Sequence, residues 1–328
     1  MDRRPLNWGL LSTARINRAL IKPLHASKRT SLRAVASRSQ SSADAYAREW
    51  TIPRAYGSYE ALLADPEIDV VYNPLPNHLH AEWTIKALRA GKHVLCEKPF
   101  ALTLAEVDAM IAASRETGKV LAEAFMYRHH PQTLKVKELV DGGTLGRLQL
   151  IKGAFTFTLT RDGNFRNIKE MGGGSIWDVG CYPISYARLL AGAEPVEVFG
   201  NQIEGPGGSD VSFFGEMKFA GGVHAQFDSG FQSPFRSHME IVGSEATLRV
   251  PVPFKPGLKS EISLHRGEEI ETIRIKGREL YMGEVDDMCD AILLGKPPRM
   301  SLEDSRGNVA AILALLESAK INRPIKLE

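Results

Sequence analysis

The sequence predicts two folded parts: a doubly wound α/β domain on a parallel sheet, then an α+β domain with a large open-faced, mostly antiparallel sheet. Three observations predict it. Over the first 125 residues, short runs that are apolar throughout alternate with helix-like stretches. Beyond about residue 145 the apolar pattern changes to a period of two. The length, 328 residues, exceeds one ordinary core and suits two. The domains are expected over 1–125 and 126–328.

In chain order, the apolar runs are Trp8–Leu11, Leu32–Ala36, Asp69–Tyr72, His93–Cys96 and Val120–Ala122. Helical stretches lie at Arg15–Ala26, Ser42–Trp50, His78–Ala90 and Leu104–Thr117. Leu79, Trp83, Ala87 and Ala90 recur at helical spacing and make one stripe. Asn77 stands where an N-cap belongs and Gly91 where the helix should stop. Pro23 should shorten or kink the first helix. Strands apolar on both sides are buried on both faces, the mark of a parallel sheet.

In Leu148–Thr160, by contrast, Ile151, Phe155, Phe157 and Leu159 share one face, while Lys152, Thr156, Thr158 and Thr160 share the other. Val223-His-Ala-Gln-Phe-Asp and His238-Met-Glu-Ile repeat this alternation, as a half-covered antiparallel sheet requires. Helices are expected at Pro131–Asp141, near Asp178–Leu190, and from a capping box at Ser301-Leu-Glu-Asp304 to about Lys320.

Composition removes several classes of function. Basic and acidic residues number 41 and 39, a net charge of +2, which gives no bulk attraction for nucleic acid or an anionic membrane. No apolar run nears the roughly 20 residues that span a bilayer. The first residues contain no apolar core of a secretory signal. Three widely spaced cysteines, Cys96, Cys181 and Cys289, argue against a disulfide framework or a zinc site and fit a reducing cytoplasm. No metal is expected.

Chemistry gathers at the strand ends. A dinucleotide pyrophosphate needs a tight turn after the first strand and a helix N-terminus aimed at it. The usual G-x-G-x-x-G is replaced here by Ser12-Thr13-Ala14-Arg15-Ile16-Asn17. All three glycines are gone, but the first two substitutes are small. The second strand ends on Ser37-Arg38 with no carboxylate, the first being Asp44. A carboxylate would repel a ribose 2′-phosphate, whereas a guanidinium can bind it. That favours NADP(H) over NAD(H), against the alternative of a solvated surface arginine.

Further on stand Asn73-Pro74-Leu-Pro-Asn77-His-Leu-His80, Glu97-Lys98-Pro99, Glu123-Ala-Phe-Met-Tyr-Arg128-His-His-Pro and Gly172-Gly-Gly-Ser-Ile-Trp-Asp178-Val-Gly-Cys-Tyr182. Asp178 and Tyr182 are four apart, so a helix puts them on one face. Pro183 is tolerable in a first turn. Asn77 could bind cofactor, cap its helix, or do both. A histidine placed like His80 is more often a packed helix histidine than a catalytic one.

Together with Trp8-Gly-Leu-Leu-Ser-Thr-Ala-Arg-Ile, these segments resemble the Gfo/Idh/MocA family over most of residues 7–200, and weakly again at Tyr281–Ile292 and Ser301–Ala319. The resemblance implies a Rossmann domain and a hydride transfer between nicotinamide and a carbon of a sugar or sugar-like polyol, as in keto-sugar reductases and aldose dehydrogenases. It implies cofactor contacts from Ser12, Thr13, Ala14, Arg15, Ile16, Ser37, Arg38, Pro74, Asn77, His80, Glu97 and Lys98. Lys98, Tyr182 and Asp178 are the implied catalytic groups. Arg128, Arg166 and Asp178 are the implied substrate contacts. A phenol beside a lysine ammonium can supply the proton that an alkoxide needs.

The Ser-Thr-Ala departure puts the phosphate geometry in question. Two other readings stand beside the oxidoreductase: a glycoside-cleaving enzyme that uses the dinucleotide transiently, and a non-catalytic regulator. A cis Lys98–Pro99 peptide is expected, because an X-Pro bond adopts cis at modest cost. So is a homodimer or homotetramer through the second-domain sheet, whose open face carries Phe214 and Val242.

Overall fold

The computed structural model describes residues 4–160 and 163–327. It divides into two compact units, Met1–Met126 with Tyr281–Arg306, and Tyr127–Leu280 with Gly307–Glu328. The segment Tyr281–Arg306 therefore groups with the first unit, although the sequence pattern placed it in the second.

The first unit alternates β1 (Leu6–Leu11), α1 (Asn17–Ala26), β2 (Thr30–Ala36), α2 (Gln40–Trp50), β3 (Arg54–Tyr56), α3 (Tyr59–Leu63), β4 (Val70–Asn73), α4 (His80–Arg89), β5 (His93–Glu97), α5 (Leu104–Thr117) and β6 (Leu121–Ala124). All its strand pairs are parallel, in the order β3-β2-β1-β4-β5-β6. The order reverses between β1 and β4, where open α/β sheets bind ligands. Trp8, Leu10, Val35, Val70, Tyr72 and Leu95 form the core beneath that point.

The edge strand β3 and the single-turn α3 escape the sequence pattern. Three half-buried residues and five helical ones are too few to show a period. Pro23 does not end α1, which continues to Ala26. A 3-10 turn over Asn77–Leu79 precedes α4, so Asn77 lies ahead of that helix rather than at its cap. Helix α8, Met282–Leu294, explains the regrouping. Its Val285, Met288 and Cys289 join the same core as Leu20 and Leu24. Arg29 ties it down through Asp286 at 2.7 Å and Asp290 at 2.5 Å.

The second unit contains α6 (Pro131–Asp141), β7 (Leu148–Thr156), α7 (Cys181–Ala191), β8 (Pro195–Glu204), β9 (Asp210–Phe219), β10 (His224–Gly230), β11 (Arg236–Gly243), β12 (Thr247–Val250), β13 (Lys259–Arg266), β14 (Glu269–Lys276) and β15 (Ile325–Lys326). Its sheet runs β14-β13-β12-β11-β7-β10-β9-β8-β15. It is antiparallel apart from the β7–β10 pair. Ile151 and Phe155 face its buried side as expected. The strand ends at Thr156, however, and this residue is itself buried, with Oγ1 donating to Pro234 O at 2.7 Å. The last helix, α9, spans Leu302–Ile321, and the Asp304 amide donates to Ser301 Oγ at 3.0 Å, as the expected cap requires.

His93, at the start of β5, accepts the Val120 amide on Nδ1 at 2.9 Å. That bond needs the neutral ring. Burial, helped by nearby Lys119, lowers its pKa from 6.5 to about 4. Because the folded pKa is depressed, this contribution to stability is fully present above about pH 6.5 and is lost as pH falls toward 4. Discounted for partial exposure, it should be on the order of 1–2 kcal/mol. Urea midpoints of wild type and His93→Gln, measured from pH 7 to 4.5, should converge on acidification. A constant gap would count against this.

Candidate active site

The turn after β1 is the first candidate element. No acidic residue stands in the first turn of α1 and no side chain caps its start, so its amide dipoles are open to an anion. Thr13, Ala14 and Ile16 are half-buried and Arg15 is exposed. Ser12 Oγ is buried and has no hydrogen-bond partner among the described residues. An orphaned hydroxyl at an uncapped helix start fits a phosphate oxygen, and on this ground the turn fits a dinucleotide.

At the end of β2, the buried Ser37 donates its amide to Tyr56 O at 2.9 Å, and Arg38 is exposed. Asp44, the nearest acid in sequence, is held by Gln40 Nε2 at 2.8 Å.

At the end of β4, Pro74 is buried and Asn77 half-buried. Sequence reasoning passed over Asn73, which is fully buried. Its amide donates to His80 O at 3.1 Å and Thr84 Oγ1 at 3.0 Å, and its Oδ1 accepts the Leu75 amide at 3.3 Å. His80 is buried, with Nδ1 2.8 Å from Pro99 O and Nε2 2.7 Å from Leu75 O. Burial lowers its pKa to about 4, and a neutral ring donates from one nitrogen at a time. The imidazole thus lies between the Leu75 turn and the Pro99 turn.

At the end of β5, the buried Glu97 accepts Tyr72 Oη–H on Oε1 and the Lys98 amide on Oε2, the latter at 3.2 Å. Burial, with the Glu97 and Glu284 carboxylates, drives the Tyr72 phenol well above its usual pKa. Lys98 is half-buried and the Lys98–Pro99 peptide is cis, as expected.

The second unit presents the other group. Gly172 and Gly174 have φ of +75° and +124°, conformations that glycine adopts without a Cβ penalty. The helix they lead into opens as a π-helical turn over Ile176–Gly180 before α7. Asp178 sits on that turn. Its Oδ2 accepts from Arg166 Nε at 2.6 Å, and the Arg166 guanidinium lies 4.8 Å from the Phe165 ring centroid. Tyr182, near the start of α7, is buried among Tyr127, Phe155 and Phe254 at centroid distances of 5.7, 5.4 and 5.4 Å. Pro183 is the third residue of α7, directly after the π-helical turn. Arg128 is buried, and Nη1 donates to Ser185 Oγ at 2.9 Å.

Asp210 is the residue here that sequence reasoning missed. It is buried at the start of β9, and Oδ2 accepts from Ser175 Oγ at 2.5 Å and the Ile176 amide at 2.9 Å. Burial pushes its pKa up, against the pull of these bonds. It caps the helix start from 35 residues away, a distance no local motif reports. Among the described residues no cluster of His, Cys, Asp or Glu could hold a metal, and no helix is long and apolar enough to cross a membrane.

A parallel sheet with a phosphate-compatible turn at its switch point and a Glu-Lys-Pro turn at the end of β5 mark the first unit as a dinucleotide-binding domain. Residues 6–125 match the oxidoreductase family with an NAD-binding Rossmann fold, and residues 133–249 match the GFO/IDH/MocA C-terminal domain. The chain belongs to the GFO/IDH/MocA family.

A D-xylose 1-dehydrogenase (NADP(+)) of Haloferax volcanii is 35% identical over 98% of this chain and 99% of its own. A 3-ketoreductase from Actinomadura kijaniata, solved with NADP and TDP-benzene, superposes with a TM-score of 0.91 at 31% identity, over 96% of this chain and 98% of that one. The aldose-aldose oxidoreductase of Caulobacter crescentus, solved with glycerol, gives a TM-score of 0.92 at 26% identity, over 99% of this chain and all (100%) of that one.

Proposed function

We propose that this protein is an NADP-dependent oxidoreductase that interconverts a hydroxyl and a carbonyl on a sugar or sugar-like polyol. The observation that carries the reading is the Glu97-Lys98-Pro99 turn at the carboxyl end of β5, anchored from below by Tyr72. Its relatives support the substrate class: the dehydrogenase named for D-xylose and the ketoreductase solved with a TDP ligand.

When bound, NADPH supplies the hydride. Tyr182 gives the substrate oxygen its proton, or takes it in the oxidising direction. Lys98 orients that oxygen with its charge. Asp178, its carboxylate fixed by Arg166, accepts a hydrogen bond from a neighbouring hydroxyl and so selects the face presented. Ser12, Thr13, Ala14, Arg15 and Ile16 hold the pyrophosphate, and Ser37 and Arg38 the 2′-phosphate. Pro74, Asn77 and Glu97 shape the nicotinamide side, with His80 bracing the turns. The three buried thiols suit a reducing cytoplasm.

The test is a spectrophotometric screen of aldoses, keto-sugars and trans-dihydrodiols with free NADP(H) and NAD(H). Absence of net nicotinamide turnover across the panel would refute the reading and favour transient use of a held dinucleotide. Arg38→Ala should weaken NADP binding by about 10–100-fold, the loss of charge-assisted bonds to a phosphate, and leave NAD binding nearly unchanged. Equal losses for both would remove Arg38 from the 2′-phosphate.

Assembly is proposed through the open face of the second sheet. Phe214 is 49% exposed there, opposite Asp228 and Asn201 in register, and Val242 is half-buried beside Leu150. Lys152, flanked by Gln226 and Glu240, adds charges of both signs, as a self-complementary dimer face requires. Light scattering at micromolar concentration should show a dimer or tetramer; a monomer would contradict this.

A further inference from the structure

Among the described non-glycine residues with positive φ, Thr51 (54°) and Asn322 (52°) occupy the left-handed well directly after α2 and α9. There they do the ordinary work of ending a helix. Ser12 is different. Its φ of +102° lies outside that well, in a region that a Cβ strongly disfavours, and it follows a strand. The conformation is pinned at both ends. The Ser12 amide donates to Ala36 O at 3.0 Å on β2. Its carbonyl accepts from Asn17 Nδ2 at 2.8 Å, and Asn17 is fully buried. Ser12 and Asn17 are the first and last of the three fingerprint glycine positions. Both glycines are lost, and the side chain that replaces the last holds the residue that replaces the first.

A glycine would take this φ without strain. Strain is retained where the surroundings over-determine it, usually at a functional group. The group gained here is Ser12 Oγ, buried and with no partner among the described residues. We propose that the Ser12 hydroxyl is a donor to a cofactor phosphate oxygen, and that Asn17 is a positioning residue holding Ser12 in the strained turn that aims it. The proposal rests on the NADP reading above. It converts a turn that normally offers backbone amides alone into one with a side-chain donor of its own.

The experiment measures two quantities: NADPH affinity by fluorescence titration, and melting of the protein without nucleotide. Ser12→Gly should melt about 2–4 °C higher, because strain of order 1 kcal/mol is relieved. Yet it should bind NADPH about 10–100-fold more weakly, because a hydrogen bond to a charged oxygen is lost. Ser12→Ala should lose the same affinity without the gain in melting. Asn17→Ala should lower both melting and affinity in the wild-type background, and leave affinity nearly unchanged in Ser12→Gly, the signature of coupled residues. Asn17→Ser serves if the alanine variant does not fold.

Wild-type affinity in Ser12→Gly and Ser12→Ala would overturn the hydroxyl's role. An Asn17→Ala affinity loss that persists in Ser12→Gly would overturn the positioning role. If wild type binds neither NADPH nor NADH, the cofactor reading itself fails, an outcome visible before any variant is compared.

Discussion

Tyr182→Phe is expected to slow turnover by roughly 10²–10⁴-fold, the usual cost of losing a general acid, while NADP affinity stays nearly unchanged. The substitution deletes one oxygen and keeps the ring. Tyr127, Phe155 and Phe254 pack around that ring, so its position should persist and the loss should report chemistry rather than misfolding. Lys98→Met should damage turnover and substrate binding together, because the ammonium is proposed to hold the reacting oxygen in ground state and transition state alike. Single-turnover rates separate chemistry from product release. Near-wild-type turnover in Tyr182→Phe would transfer the acid role to another group, with Lys98 the next candidate.

Asp210→Ala is expected to cost about 1–3 kcal/mol of stability. The carboxylate accepts from the Ser175 hydroxyl and the Ile176 amide. Ser175 Oγ also lies 3.0 Å from Ser229 Oγ and can turn to it, so the buried Ile176 amide is the donor left orphaned. Part of this is offset because burying the carboxylate is itself unfavourable, as its raised pKa shows. The π-helical turn that follows carries Asp178, so its loosening should raise the substrate KM and lower kcat. NADP affinity, set by residues of the other unit, should hold. Asp210→Asn, which keeps an acceptor oxygen, should recover part of both losses. An alanine variant with wild-type melting and wild-type KM would remove Asp210 from the support of this helix.

The fold was legible where side-chain periods are long enough to count. The core strands and α1, α2, α4, α5 and α6 announce themselves as apolar runs or helical stripes. The three-residue β3 and the five-residue α3 could not, and α8 was marked only by a weak family resemblance at Tyr281–Ile292, without its address. Its partners, Leu20 and Leu24, lie more than 250 residues upstream. The site divides in the same way. Lys98, Tyr182 and Asp178 stand in contiguous motifs, and the structure gives each a defined setting. Asn17, Asn73 and Asp210 work through bonds to backbone or to distant residues, and nothing local marks them. The one available signal was Asn17 itself, a side chain able to hydrogen-bond where the fingerprint has glycine.

The first unit's core is closed by a helix that the ribosome makes late. Roughly 155 residues separate Met126 from Tyr281, about 8–30 s of synthesis at 5–20 residues per second. During that interval the groove that will receive Val285, Met288 and Cys289 is uncovered, and Arg29 has neither Asp286 nor Asp290 to bind. The nascent nucleotide-binding half thus emerges with an apolar slot on its outside. The 127–280 segment has to be threaded out before that slot is filled. A gene truncated after the sixth strand would leave the slot permanently empty, so the boundary that looks natural on the sequence is a poor place to cut.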